Sequence, residues 1–219
     1  MSEGRERELK FRIPGREDWL SLREDPGRGE KGTVRRQVNH YFDAPDGRLI
    51  RARAMLRLRR ETDTDAATER PRAILTFKQG AEERPGLFDS REVEEEIGDA
   101  AAADLLERPE SMLGLETRPV AELVRRFGRL PLVLLGSLEN ERVERRSGAF
   151  VLEVDRLVFP DGTEAYELEI EVESIEAERL AHAAVARLRE EGLVLEPERL
   201  TKLERLLDWR SRRLLGRPK

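Results

Sequence analysis

Charged and apolar residues alternate with a period of two in six segments of the chain, which predicts strands with one ionic and one apolar face. In Glu6-Arg7-Glu8-Leu9-Lys10-Phe11, the side chains of Glu6, Glu8 and Lys10 share one side, with Leu9 and Phe11 on the other. Met55 to Arg59 sets Arg57 and Arg59 opposite Leu56 and Leu58, and Ile74 to Lys78 sets Lys78 with Ile74 and Thr76 against Leu75 and Phe77. Arg91 to Ile97 groups Glu92, Glu94 and Glu96, although Glu95 interrupts the apolar side between Val93 and Ile97. Val151 to Asp155 aligns Glu153 and Asp155 against Leu152 and Val154. The cleanest alternation is Glu167 to Val172, where Glu167, Glu169 and Glu171 oppose Leu168, Ile170 and Val172. Leu138 to Arg146 is dense in charge but has no two-sided pattern.

A period near 3.6 predicts helices elsewhere. One runs from Ser174 to Gly192 with Leu180, Ala183, Ala184 and Leu188 inward. A second runs from Arg199 to Leu215 with Leu203, Leu206, Leu207 and Leu214 as its apolar side. Shorter helical signals cover 16–23, 100–107 and 119–127, and the polar residues of all these helices read as a solvated face. Thr62 to Arg72 and Glu82 to Ser90 (with Pro85 and Gly86) read as loops, and Leu105 to Arg118 as a connection between helices.

Composition sharpens this picture. The 219 residues are 40% charged, against about 25% in an average soluble chain. Hydrophobic content of 38% still supplies a core, and the two signs nearly cancel to a net charge of −5. That cancellation argues against a nucleic-acid partner. With no cysteine and only His40 and His182, disulfides, thiol nucleophiles and Cys zinc sites are excluded and histidine chemistry has little material. No segment has the apolar length of a signal sequence or membrane span, so a cytoplasmic protein without a membrane partner is expected. No GxxxxGK[ST] phosphate loop is present. His40, His182, Trp19 and Trp209 read as packing residues.

The distribution of sign carries more information than the amount of charge. Arg57, Arg59 and Lys78 gather on cationic strands, whereas Glu92, Glu94, Glu96 and Glu167, Glu169, Glu171 gather on anionic ones. Ordinary half-buried strands also turn an ionic face to water. Like charges two residues apart repel, however, and single-sign clusters make sense where carboxylates bind a divalent cation and cationic groups bind a polyanion. If the apolar faces pack against the helices, the ionic faces line the inside of a closed barrel, which demands mutual neutralisation, water, metal or ligand.

At this point the residues resemble a known family. Glu6 to Lys10 fits the ExExK signature of the CYTH superfamily, the triphosphate tunnel metalloenzymes. Asn39-His40-Tyr41-Phe42-Asp43-Ala44-Pro45-Asp46 followed by Leu56-Arg57-Leu58-Arg59 is similar to the family's YFDTPD … LRLR passage. The order continues through Leu75 to Lys78, Arg91 to Glu94, Arg142, Leu152 to Asp155 and Tyr166 to Glu171. Leu200-Thr201-Lys202 is similar to the family's SK at the start of the last helix. The likeness covers residues 5 to about 208 and implies one CYTH domain over 1–219.

The resemblance implies an α+β fold, a closed eight-stranded antiparallel β-barrel forming a tunnel, with flanking helices. It implies metal-binding carboxylates at Glu6, Glu8, Glu169, Glu171 and Asp155. Glu92, Glu94 and Asp155 fall on the acidic wall, where a second metal and the attacking water would be held. Lys10, Arg57, Arg59, Lys78, Arg142 and Lys202 match phosphate-gripping positions, and Lys202 joins Glu92, Glu94 and Asp155 as a catalytic candidate. Glu153 and Glu167 share the inner face in a supporting place. The family usually approaches the arginine strand through a small residue and an Ala, where this chain has Arg53 and Met55. Arg51 and Arg53 either extend the basic stripe to the tunnel mouth or face solvent, and either Arg145 or Arg146 could add to the cationic wall.

The expected activity is hydrolysis of a small-molecule triphosphate, foremost inorganic tripolyphosphate, to orthophosphate and diphosphate with Mg2+ or Mn2+, by a monomer or homodimer. The turn from Phe159 to Tyr166 is closer to the triphosphatase pattern than to the cyclases' LG-x-F. An adenylate cyclase, a thiamine triphosphatase or a non-catalytic polyphosphate sensor remain alternatives on the same walls.

Overall fold

Strands with one apolar and one ionic face must hide the first and neutralise the second, and here they do so by closing on themselves. The computed structural model describes residues 3–24, 30–64, 71–148 and 150–214. Eight strands form the wall: β1 (Glu3–Ile13), β2 (Glu30–Asp43), β3 (Ala54–Asp63), β4 (Arg72–Arg84), β5 (Leu87–Ile97), β6 (Val133–Ser147), β7 (Phe150–Val158) and β8 (Glu164–Val172). They pair in the order β5-β4-β3-β2-β6-β7-β8-β1, and a β1–β5 pairing closes the ring. All pairs are antiparallel. Where β5 leaves β1 at Leu9, the two-residue strand β9 (Glu196–Pro197) continues the edge along Phe11 and Arg12. Closure leaves no long unpaired edge.

Among the described residues six α-helices surround this wall: α1 (Arg16–Glu24), α2 (Arg48–Arg51), α3 (Asp99–Glu107), α4 (Arg118–Phe127), α5 (Ile175–Glu190) and α6 (Lys202–Leu214). The outward residues Leu9, Phe11, Val154, Leu168 and Ile170 form one core with Trp19 and Leu22 of α1 and Ala181 and Val185 of α5. Leu56, Leu58, Leu75 and Phe77 form a second with Leu105 of α3 and Val120 and Leu123 of α4. Each such side chain contributes about 1.5–3 kcal/mol when fully buried. A third cluster lies at one end of the barrel, where Tyr41, Leu138 and Leu157 receive Leu203 and Leu206 of α6. Thus α6 covers part of the barrel's end rather than its side. Among the described residues no helix is long and apolar enough to cross a membrane.

Several expectations change in detail. The buried stripe of α5 is Ala177, Ala181, Val185 and Leu188, while Leu180 is 38% exposed and Ala183 is exposed. The small Ala177 and Ala181 let the helix lie close to the barrel. The last helix begins at Lys202, and Leu214 is exposed because the barrel ends before it. The expected loop at 82–90 is the tip of a β4–β5 hairpin, turned by Pro85 and by Gly86 at φ +79°. Its partner turn at 62–72 is strand to Asp63 and again from Arg72, and residues 65–70 fall outside the described residues. The unpatterned 138–146 segment lies within the longest strand, β6. The intruding Glu95 faces outward, where it accepts a hydrogen bond from the Arg118 backbone N–H at 3.0 Å at the start of α4. His40 and the tryptophans pack as expected: His40 Nδ1 is 2.7 Å from Ser137 Oγ, Trp19 stacks on Tyr166, and Trp209 stacks on Phe159.

Two local devices place the tunnel mouth. Asp43, fully buried, accepts hydrogen bonds from the backbone N–H groups of Ala44, Leu49 and Ile50 at 2.6, 2.8 and 3.1 Å, which folds Ala44 to Arg51 into a tight corner before β3. Gly80 sits so close to β5 that a Cβ there would lie 2.3 Å from the Asp89 carbonyl oxygen.

Candidate functional site

The inner faces of the strands enclose a cavity of about 980 Å³. Its lining holds Glu6, Glu8, Lys10, Arg57, Arg59, Lys78, Glu92, Glu94, Arg142, Glu169, Glu171 and Lys202. Every sequence-predicted site residue except Asp155 therefore reaches the cavity, and Asp155 lies directly behind it, fully buried. Alternation along each strand brings residues distant in the chain to one surface.

One corner of the tunnel is electrically closed. Arg142 donates to Asp155 through Nε at 2.8 Å and Nη2 at 2.6 Å, reaches Glu169 at 2.6 Å, and pairs with Glu153. Lys202 Nζ, at the first residue of α6, meets Asp155 at 2.9 Å, Glu169 at 2.8 Å and also Glu167. Lys10 Nζ lies 2.5 Å from Glu169, 3.2 Å from Glu8 and 5.2 Å from the Phe88 ring centre. Burial by itself would raise the Glu169 carboxyl, but Lys10, Lys202 and Arg142 hold it well below its ordinary range. Asp155 is likewise held down against its burial by Arg142 and Lys202. Burial opposes the charge of Lys202 too, yet Asp155, Glu167 and Glu169 raise its pKa.

Elsewhere charge is left over. Glu8 stands directly across from Glu171 in the β1–β8 register, and Glu153 across from Glu169. Like charges so placed repel. Burial, then the neighbouring Glu6, push Glu171 up to about 7. Glu6 is raised chiefly by burial although Lys78 Nζ is 2.5 Å away, and Lys78 divides itself between Glu6, Glu8 at 3.3 Å and Glu92 at 3.4 Å. Glu153 is raised well above the usual range by burial in spite of Arg142.

The opposite wall has the converse surplus. Arg57 reaches Glu94 at 3.3 Å and Glu92 at 3.5 Å, but its buried Nε has no partner. Among the described residues Arg59 finds only Asn39 Oδ1 at 3.1 Å and Glu61 at 3.9 Å, and burial plus the nearby Arg57 and Arg142 lower its pKa. The Asn39 Nδ2 donor is buried without a partner. Glu94, despite burial, is held below its ordinary value by its hydrogen bond with Glu92 and by Arg57 and Arg59.

The open cationic positions resolve differently. Arg145 lies on the outer face and donates to the Arg23 carbonyl, and Arg146 is exposed and pairs with Glu144, so neither joins the gripping wall. Arg51 is tied to Asp46 outside the barrel, while Arg53 lines the cavity. Glu96 is exposed. Sequence reasoning missed Gln37, Asn39 and Tyr41 on β2 and Glu61 on β3, which form part of the lining or its support. The parity of Glu61 with Arg57 and Arg59 was the available signal.

Two carboxylate sets compete for a metal. Asp155, Glu167 and Glu169 offer oxygen atoms within 4.8 Å of one another, but the Lys202 ammonium already reaches all three. Glu6, Glu8 and Glu171 are hard oxygen donors with surplus negative charge, which is the chemistry a divalent cation requires. These residues fit the ion better.

Comparison with known proteins agrees with this architecture. A candidate adenylyl cyclase from Hippeastrum, described as having a dominant triphosphatase activity, superposes with a TM-score of 0.78 at 24% identity over 98% of this chain and 97% of its own. A candidate adenylate cyclase from Bacillus halodurans gives 0.66 at 21% identity over 92% and 98%. The PH1819 protein of Pyrococcus horikoshii gives 0.61 at 18% identity over 92% and 99%. No match was found among curated protein sequences. Residues 4–205 match the CYTH domain family, and with a barrel of this topology lined by charge of both signs, the chain belongs to that family.

Proposed function

We propose that this protein is a cytoplasmic hydrolase of triphosphates, with inorganic tripolyphosphate as its preferred substrate and Mg2+ or Mn2+ as its cofactor. The observation that carries this reading is the unmatched charge of both signs inside one tunnel: crowded carboxylates at Glu6, Glu8 and Glu171, and the under-neutralised Arg59 guanidinium beside the unpaired Nε of Arg57. The Hippeastrum protein's dominant triphosphatase activity supports it.

A metal held by Glu6, Glu8 and Glu171 would supply charge neutralisation to phosphate oxygens. The chain's own groups do the rest. Arg57, Arg59 and Lys78 offer charge-assisted hydrogen bonds to successive phosphates and hold them in line. Glu94, kept ionised by Arg57 and Arg59, accepts a hydrogen bond from water beside the phosphate those arginines grip, and Glu92 supports it. Arg142 and Lys202, already saturated by carboxylates, keep Asp155 and Glu169 ionised and fixed in place.

The test is phosphate release from tripolyphosphate, thiamine triphosphate and ATP with Mg2+, Mn2+ or EDTA, in the wild type and in Glu8→Gln. Metal-dependent orthophosphate release, fastest from tripolyphosphate and lowered on the order of 10²-fold or more in the variant, is expected. Cyclic AMP and pyrophosphate from ATP would replace hydrolysis by cyclisation, and tight binding without turnover would leave a sensor.

A further inference from the structure

The two ends of the tunnel are not equivalent. At the end where β3 finishes, at Asp63, and β4 starts, at Arg72, the described cations lining the cavity are paired: Arg35 with Asp63 at 3.0 Å and with Glu144, and Arg72 with Glu61. 

β2 finishes and β3 starts at the opposite end. At that opposite end, beside α6, two cavity-lining arginines, Arg53 and Arg199, are exposed and among the described residues have no carboxylate within 4 Å and no side-chain hydrogen bond. Among the described cations that line the tunnel they alone lack an anionic partner, in a chain with more acidic than basic residues.

Both are held where they are by built features. Arg53 follows the corner that Asp43 organises, and its backbone N–H donates to Ile50 while its carbonyl accepts from Gly80. It is the one non-glycine residue with positive φ, at +53°, among those described. A side chain in this left-handed region is unfavourable, and strain of this kind concentrates at functional sites. Arg199 follows β9, where the buried Glu198 carboxylate accepts from the backbone N–H groups of Arg199 and Leu200 at 2.8 and 3.0 Å. Arg53 also continues the cationic row of Arg57 and Arg59 outward. From Arg53 to Arg59 is six residues, roughly 20 Å at the rise of a strand, a span longer than three linked phosphates.

We propose that Arg53 and Arg199 form an outer anion station at the α6 end of the tunnel, which holds phosphate groups beyond the third and makes linear polyphosphates of four or more phosphates the better-bound ligands. This rests on the triphosphate reading of the inner tunnel and deepens it: turnover stays fastest with tripolyphosphate, while longer chains gain affinity at the outer station. Beside the apolar Ile50 and Met55 this mouth also holds the Glu204 carboxylate, which the Thr201 backbone N–H engages at 2.7 Å.

The experiment compares wild type, Arg53→Gly, Arg199→Ala and the double variant. Binding of tri-, tetra- and longer polyphosphates and of ATP is measured by calorimetry in EDTA, and turnover is measured separately with metal. Expected are tighter binding of the longer chains by the wild type and an approximately tenfold loss of that affinity in the double variant, with tripolyphosphate affinity within about twofold. Arg53→Gly is expected to keep or raise the melting temperature, since glycine relieves the strain, and this separates lost binding from lost folding. Equal losses for all chain lengths, or a loss confined to ATP, would overturn the station. Chain-length-dependent binding without turnover would uphold the station and defeat the hydrolase reading; turnover without chain-length dependence would do the reverse.

Discussion

The Arg142 corner of the tunnel and the Glu6–Glu171 edge use the same residue types to opposite ends. Around Arg142, Asp155 and Glu169 are held ionised by a guanidinium that also reaches Glu153, and Lys202 bridges Asp155, Glu167 and Glu169. Along the other edge, Glu8 faces Glu171 across the β1–β8 ladder and one Lys78 serves three carboxylates. The first arrangement keeps Asp155 and Glu169 ionised without a ligand and fixes the wall. The second is complete only when something brings positive charge, as Arg59 across from it is complete only when something brings negative charge. Unmatched charge, rather than charge itself, marks where ligands belong.

The largest effect should come from breaking the Arg142 corner. Arg142→Leu leaves three carboxylates around an apolar side chain, and removing one partner of a buried ionic cluster costs about 3–5 kcal/mol. For a chain of this size that is a fall in Tm of roughly 10 °C, read by thermal denaturation. A fall as large in Glu8→Gln would erase the distinction between the two regions.

The incomplete edge should announce itself through pH. Glu171 titrates at about 7 in the fold, against about 4.3 in an unfolded chain. Between those values the folded protein holds a proton that the unfolded chain lacks, so this contribution to stability is full below about pH 4 and is lost as pH rises through about 7. The raised Glu6 and Glu153 act with the same sign, whereas the depressed Asp155 and Glu169 lose stability only in acid, as pH falls through their folded values. Denaturation midpoints measured from pH 5 to 8 in EDTA should decline. Glu171→Gln should flatten the decline, and Mg2+ should oppose it above pH 7. An unchanged slope in the variant would place the proton elsewhere.

The smallest effect sharpens the comparison on the basic side. Arg59 is held among like charges, so Arg59→Gln should raise Tm by about 2 °C in the ligand-free protein, while weakening triphosphate binding about tenfold or more through loss of a charge-assisted hydrogen bond. Calorimetry and thermal melts on one sample check both. A variant that loses stability along with affinity would make Arg59 part of the scaffold.

Alternation along six segments was enough to give the inner faces of β1, β3, β4, β5, β7 and β8, because a period of two is a local property of the backbone. β2 and β6 were harder to see. Val34 and Val143 alternate with polar groups that are themselves partly buried, and the β6 pattern changes where Leu138 points into the barrel toward α6 while Arg145 points out under α1. The stripe of α5 was misplaced by one position, since Leu180 looks more buriable than Ala181 until the closeness of the barrel wall favours the smaller side chain.

By itself the sequence determined the strands, the sign of charge each carries and the residues able to meet inside a barrel, since these depend on neighbours in the chain. Only the tertiary structure decided how the charges divide. Register across strands set Glu8 against Glu171, and α6, distant in sequence, carried Lys202 into the midst of Asp155, Glu167 and Glu169. Whether a buried charge is matched depends on distances of a few ångströms between groups far apart in the chain, and closing the barrel is what brings those groups together.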